Sequence, residues 1–149
     1  ALRDLPGLDE PFLVINGDVL TAVDPAALMA AHRASGAQLT VTTQVRETTI
    51  GAGVLELDGE AVTGYAEKPV LRHVVSLGVY CLQPQTLDLL PPGRVDIPAL
   101  VTALIAAGRP VRRYAYGGPW FDIGTREDHE RATTELAEHP ERYLPGPAS

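Results

Sequence analysis

A chain of 149 residues, 45% hydrophobic and 21% charged, is long enough for one domain with its own core and has the composition of a water-soluble fold. Its 12 basic and 19 acidic side chains leave a net charge of -7, which argues against nucleic acid as a partner, because a phosphate backbone needs a basic face. No apolar run reaches membrane-spanning length, no signal-peptide pattern is visible, and the single cysteine, Cys81, cannot form an internal disulfide, so a reducing cytoplasm and no membrane partner are expected.

In chain order, Phe12-Leu13-Val14-Ile15 is a short continuous apolar run, as in a strand buried on both faces. Asn16-Gly17-Asp18 follows it directly. In the next segment Asp24 is a good N-cap, Pro25 suits the first helical position and Gly36 is a stop, while Leu28, Met29 and His32 share one helical face. The β-branched stretch QLTVTTQV reads as a strand, and strand, helix, strand in that order suggests a parallel βαβ unit. Two short strands then flank Asp58-Gly59, a dipeptide that favours a tight hairpin. VVSLGVYCL is a further apolar strand and PQTLDLL a short helix. The next helix starts at Asp96 and stops at Gly108, and VRRYAY alternates like a strand near a surface. GGPWFDIG reads as a loop ahead of a last helix that Thr125 caps, with Asp128 placed for a capping-box-like contact. The expected architecture is α/β, one Rossmann-like unit with a mostly parallel sheet and an antiparallel β insertion.

Three groups could carry chemistry. Asp18 follows the first strand, and in open α/β sheets ligands collect beyond the carboxyl ends of strands; a carboxylate there can hold a hard divalent cation that also touches substrate phosphates. Asn-Gly-Asp is equally good turn chemistry, with Asp18 capping backbone amides. Glu67-Lys68-Pro69 ends the hairpin, and the proline is expected to hold Lys68 extended. Glu67 could bind a sugar hydroxyl and Lys68 a phosphate, or the two could be a surface ion pair. Lys68 is the only lysine among twelve cationic side chains, the other eleven being arginine. Asp122, in Trp120-Phe121-Asp122-Ile123-Gly124-Thr125, is either part of a helix start packed by Trp120 or a second carboxylate brought toward Asp18. Two acids meeting at one point require a metal or a shared proton. No histidine has metal-ligand spacing, Ser76 lacks a His-Asp pair, and neither a P-loop nor a DxD-type acid pair is present.

In their order, FLVINGDVLT, GVLELDGEAVTGYAEKP, LGVYCLQPQTLDLLPPG, DIPALVTALIAAGRPVRRY and PWFDIGTREDHERA resemble the sugar-1-phosphate nucleotidyltransferases, and most nearly their mannose-1-phosphate guanylyltransferase-like branch, from Leu2 to Leu136. The resemblance implies transfer of a nucleotidyl group from a nucleoside triphosphate to a sugar 1-phosphate, with release of pyrophosphate and dependence on Mg²⁺. It implies metal-binding roles for Asp18 and Asp122, sugar and phosphate contacts for Glu67 and Lys68, and a backbone facing the sugar at Gly53. A sugar contact falls at or beside Ser76, where the family usually has asparagine. The family usually has tyrosine before Gly53, where this chain has Ala52.

The glycine-rich triphosphate-binding segment with which that family opens does not occur here. Residues 1–138 are therefore expected to be the C-terminal part of a nucleotidyltransferase domain, with 139–149 an irregular tail and the fold N-terminally incomplete. Ala1-Leu2-Arg3 should end the helix ahead of the first strand. A homo-oligomer or the missing segment should cover the open sheet edge. The alternative is a non-catalytic sugar-phosphate-binding or interaction module. A glycosyltransferase is disfavoured by the lack of an acid pair close in sequence.

Overall fold

A computed structural model of the chain describes residues 8–89 and 96–143. The expected helix end at Ala1-Leu2-Arg3 and most of the tail lie outside them. The chain divides into two compact units, one formed by residues 1–43 and 76–149, the other by 44–75. Strands β3 (Leu39–Thr49) and β6 (Val70–Leu82) pass from one to the other.

The larger unit is built on a four-stranded sheet in the order β1-β6-β3-β7, with β1 at Phe12–Ile15 and β7 at Val111–Ala115. β1 pairs antiparallel with β6, from Phe12 opposite Leu82 to Ile15 opposite Val79. β3 pairs parallel with β7. Gln83 N–H donates to the Gln38 carbonyl at one end of the β3–β6 pair, and Ile50 N–H to the Pro69 carbonyl at the other, so β6 also runs against β3. The α/β class is as expected, but the sheet is mixed rather than mostly parallel. The reason is β6: β1 and β3 do point the same way, as a βαβ unit requires, yet they are not neighbours because β6 lies between them.

The β6 sequence explains its central place. From Leu77 to Leu82 every residue is buried, with no polar alternation. Tyr80 and Leu82 face one side, where they pack with Leu39, Leu100 and Leu104. Val79 and Cys81 face the other, with Val23 and Leu28. A helix covers each side, α2 (Ile97–Ala106) the first and α1 (Pro25–Ser35) the second. Burial also pushes the Cys81 thiol up to about 11, consistent with a small core residue.

The helices begin and end where their caps dictate. The Asp24 carboxylate accepts from Ala26 N–H at 2.8 Å and Asp96 from Ala99 N–H at 2.9 Å. Gly36 and Gly108 adopt the left-handed conformation at φ 62° and 65°. The expected short helix at PQTLDLL is a 3-10 helix over Pro84–Leu89. The third helix, α3 (Arg126–Glu138), is capped by Thr125, whose Oγ1 accepts from Asp128 N–H at 3.1 Å. The Asp128 carboxylate in turn accepts from the Thr125 hydroxyl at 2.6 Å, so the contact runs side chain to side chain. No helix among the described residues is long and apolar enough to cross a membrane.

The smaller unit contains an antiparallel hairpin of β4 (Val54–Asp58) and β5 (Ala61–Ala66). The two residues between the strands are Gly59-Glu60, one step later than Asp58-Gly59, with Gly59 at φ 60° supplying the turn. A bulge between Glu56 and Leu57 shifts the register.

His32 on α1 is fully buried, and its Nδ1 lies 2.8 Å from Thr40 Oγ1 on β3. Burial, and secondarily the nearby Arg33 charge, holds its pKa below the ordinary 6.5. The unfolded chain therefore binds a proton more readily, and stability should fall as the pH drops from about 6.5 toward the depressed folded-state value. Thermal unfolding followed between pH 7.5 and 5 should show a steeper acid loss for the native chain than for His32→Gln.

Candidate functional site

The expected loop at Trp120 is instead a strand, β8 (Trp120–Asp122), which pairs antiparallel with β2 (Val19–Thr21). Its short length and flanking glycines concealed it, and only the distant β2 completes its hydrogen bonds. The register sets Val19 opposite Asp122 and Thr21 opposite Trp120. The ladder extends one step further, with Ile123 N–H donating to the Asp18 carbonyl at 2.8 Å. Asp18 and Asp122, from opposite ends of the chain, thus stand one ladder step apart. Both are exposed.

Each aspartate has a local role as well. The Asp18 backbone is engaged by Ile123. The Asp122 carboxylate accepts from Gly124 N–H at 3.1 Å, capping the turn before α3 rather than the helix itself. That bond occupies one side of Oδ1 and leaves the carboxylate further acceptor capacity. Two exposed carboxylates suit Mg²⁺, a hard cation usually held by one or two carboxylates together with substrate phosphates and water. No group of three or more metal-ligating side chains occurs among the described residues.

The pair is anchored to β6 at Leu77 and Gly78. Asn16 N–H donates to the Gly78 carbonyl at 2.8 Å. The Trp120 indole donates to the Leu77 carbonyl at 2.7 Å. The glycine is required twice over: its φ is 72°, and a Cβ there would come within 2.9 Å of Asn16 Nδ2 and 3.1 Å of Val19 Cγ2. A glycine inside an apolar strand was the available signal for this close approach. Ser76 stands two residues before Gly78, and its hydroxyl lies 3.0 Å from Tyr80 Oη. Asp18, Asp122 and Ser76 are therefore all placed around one stretch of the larger unit.

Gly53, Glu67 and Lys68 belong to the smaller unit. Val54 pairs with Ala66, so the start of β4 and the end of β5 bring Gly53 and Glu67 to the same end of the hairpin. Tyr65 bridges them, its hydroxyl donating to Glu67 Oε2 at 2.5 Å. Lys68 is not extended. Its φ is 45°, and it is the only non-glycine residue with positive φ among those described. Proline disfavours the right-handed helical region for the residue before it, and here the chain escapes into the left-handed region instead. The bend closes with Ile50 N–H on the Pro69 carbonyl at 3.0 Å.

A separate apolar cleft of about 550 Å³ lies where Leu13, Ile15 and Val79 meet Asp24 and Tyr143. Neither Asp18 nor Asp122 lines it.

The sequence model of the Nucleotidyl transferase family matches residues 3–139, and the chain belongs to that family. A mannose-1-phosphate guanyltransferase of Schizosaccharomyces pombe is 31% identical over 157 aligned positions, covering 99% of this chain and 43% of the relative. A UTP–glucose-1-phosphate uridylyltransferase of Synechocystis is 30% identical, covering 85% of this chain and 35% of the relative. The chain thus spans less than half the length of these relatives. The solved structure of a UTP-bound UGPase from Acinetobacter baumannii superposes with a TM-score of 0.61 at 19% identity, covering 93% of this chain and 55% of that one, which establishes a shared fold.

Two stability outcomes follow. Gly78→Ala should destabilise by about 1–3 kcal/mol in urea unfolding, through strain and collision with Asn16. Lys68→Gly should instead raise stability by about 1 kcal/mol, because the left-handed conformation costs lysine what it does not cost glycine.

Proposed function

We propose that the chain forms the sugar-phosphate side of a sugar-1-phosphate nucleotidyltransferase, which transfers a nucleotidyl group from a nucleoside triphosphate to a sugar 1-phosphate and releases pyrophosphate. The observation that supports this reading is the β2–β8 ladder, which sets the backbones of Asp18 and Asp122 one step apart. The printed activities of the relatives agree in reaction type and differ in base and sugar. A guanylyl donor is favoured by the number of mannose-1-phosphate guanylyltransferases among them. In this reading residues 1–138 belong to one cytoplasmic nucleotidyltransferase domain, with a further segment or a second copy beside β1, an edge strand of the sheet among the described residues.

Each residue then has a chemical task. Asp18 and Asp122 would hold Mg²⁺, which when bound offsets the charge of the phosphates that must meet. Lys68 places a compact ammonium on the phosphate of the acceptor sugar. Its left-handed backbone is the kind of strain that persists where a side chain must be aimed. Glu67 accepts from a sugar hydroxyl, Gly53 presents backbone to the ring, and Ser76 offers a short hydroxyl. The nucleophile is the phosphate oxygen of the sugar, so the protein need only position two anions and neutralise them.

The test is metal binding coupled to the acceptor. Mn²⁺ titrated into the chain with mannose 1-phosphate, followed by electron paramagnetic resonance, should bind the native protein. Asp18→Asn and Asp122→Asn should each weaken that binding about tenfold or more. Unchanged binding in both variants would overturn the assignment. Ligand binding without pyrophosphate release, across a panel of triphosphates, would mark the chain as a binding module.

A further inference from the structure

Tyr65 lies on β5 opposite Leu55, two residues before Glu67. Its ring sits against the Gly53 backbone so closely that a Cβ built there would fall within 2.5 Å of Tyr65 Cζ and 2.8 Å of Cε2, and would overlap the hydroxyl. Gly53 is not among the residues with positive φ, so what a side chain at this position would disturb is the seat of the phenol, which it would have to displace. From that seat the hydroxyl donates to Glu67 Oε2. The ring is 66% exposed, so burial does not hold it there. The glycine backbone on one side and the carboxylate on the other do. The bond to Glu67, ahead of a smaller burial effect, raises the Tyr65 pKa above its usual 10.

We propose that Tyr65 is a positioning residue for the sugar end of the site: seated on Gly53, its hydroxyl fixes the Glu67 carboxylate so that the remaining acceptor sites meet a hydroxyl of a hexose 1-phosphate. The inference rests on the reading of Glu67 and Lys68 under Proposed function. An ionised carboxylate offers about four lone-pair sites, of which Tyr65 occupies one. Glutamate alone would sample several rotamers, and ordering it would weaken ligand binding. The charge-assisted bond to Tyr65 sets the order during folding instead. Lys68, the next residue along the chain after Glu67, handles the phosphate and does not depend on Tyr65. Tyr65 therefore acts on recognition of the sugar and leaves recognition of the phosphate alone.

The experiment is calorimetric titration of the full chain with mannose 1-phosphate, glucose 1-phosphate and, separately, inorganic phosphate. Tyr65→Phe keeps the ring and removes the hydroxyl; it should weaken hexose 1-phosphate binding about tenfold, leave inorganic phosphate unchanged, and add no further loss in a Glu67→Gln background. Gly53→Ala, which keeps both side chains and displaces the ring, should reproduce the sugar-selective loss. Hexose 1-phosphate affinity that is unchanged in Tyr65→Phe, an equal loss for inorganic phosphate, or effects that add with Glu67→Gln would each overturn the proposal while leaving the family reading intact. A native chain that binds no hexose 1-phosphate would overturn both. The bridge has its own readout without ligand: in ¹³C-labelled tyrosine spectra, Glu67→Gln should lower the pH at which Tyr65 ionises. An unmoved midpoint would remove the bridge and the proposal with it.

Discussion

Strand β6 has to satisfy its backbone on both sides, and the rest of the larger unit is arranged by that demand. β1 and β3 supply partners along most of it. At Leu77 and Gly78 the partners come from elsewhere: the Trp120 indole and the Asn16 amide. A buried carbonyl without a partner is costly, so these two bonds are more than local trim. They tie the end of β1 and the start of β8 to one point on the central strand. Asp18 and Asp122 each lie two residues beyond those ties. Two exposed carboxylates on short segments are thereby referred to the buried half of β6.

The two faces of the sheet are built differently. The α2 face is almost wholly aliphatic around Leu39, Leu82, Leu100 and Leu104, with Tyr80 at its margin. The α1 face mixes Leu28, Val79 and Cys81 with the buried His32 and the threonines of β3. Leu39 and Val41 face α2, whereas Thr40 meets His32, so β3 alternates between an apolar and a polar side. Polar atoms inside a core give less freedom of packing than hydrocarbon, because each requires a partner in a fixed direction. His32 Nε2 and Thr42 Oγ1 have none among the described residues. The α1 face is consequently the more pH-sensitive of the two.

The smaller unit spends little on packing. Leu55, Leu57 and Val62 of its hairpin are exposed, and its Arg72–Glu47 ion pair at 2.7 Å lies at the surface, where such pairs contribute little. What it holds firmly is the arrangement around Gly53, Tyr65 and Glu67, and the bend at Lys68. A lysine with positive φ ahead of a proline is unfavourable on backbone grounds, and the bend that holds it there is closed by the Ile50 N–H on the Pro69 carbonyl.

Local chemistry made much of this legible before the fold. The caps at Asp24, Asp96 and Thr125, the stops at Gly36 and Gly108, and the buried run of β6 depend on neighbours within a few residues, and the sequence by itself determined them. Asp18, Glu67, Lys68 and Asp122 were singled out differently, by the order of their motifs along the chain, since each short stretch alone also fits a turn, a surface ion pair or a helix start. Strand order could not be read, because the β1-α1-β3 pattern says that two strands point the same way and not that a third will lie between them. β8 was hidden because three residues carry too little periodicity to declare a strand without the partner that completes their hydrogen bonds. The left-handed Lys68 was hidden because proline excludes one region of backbone space and leaves two others, and only the closing bond from Ile50 to Pro69 selects between them. The Tyr65–Glu67 bridge needed tertiary structure most plainly: the hairpin register sets Gly53 beside the Tyr65 ring, and no pattern in the sequence shows that approach.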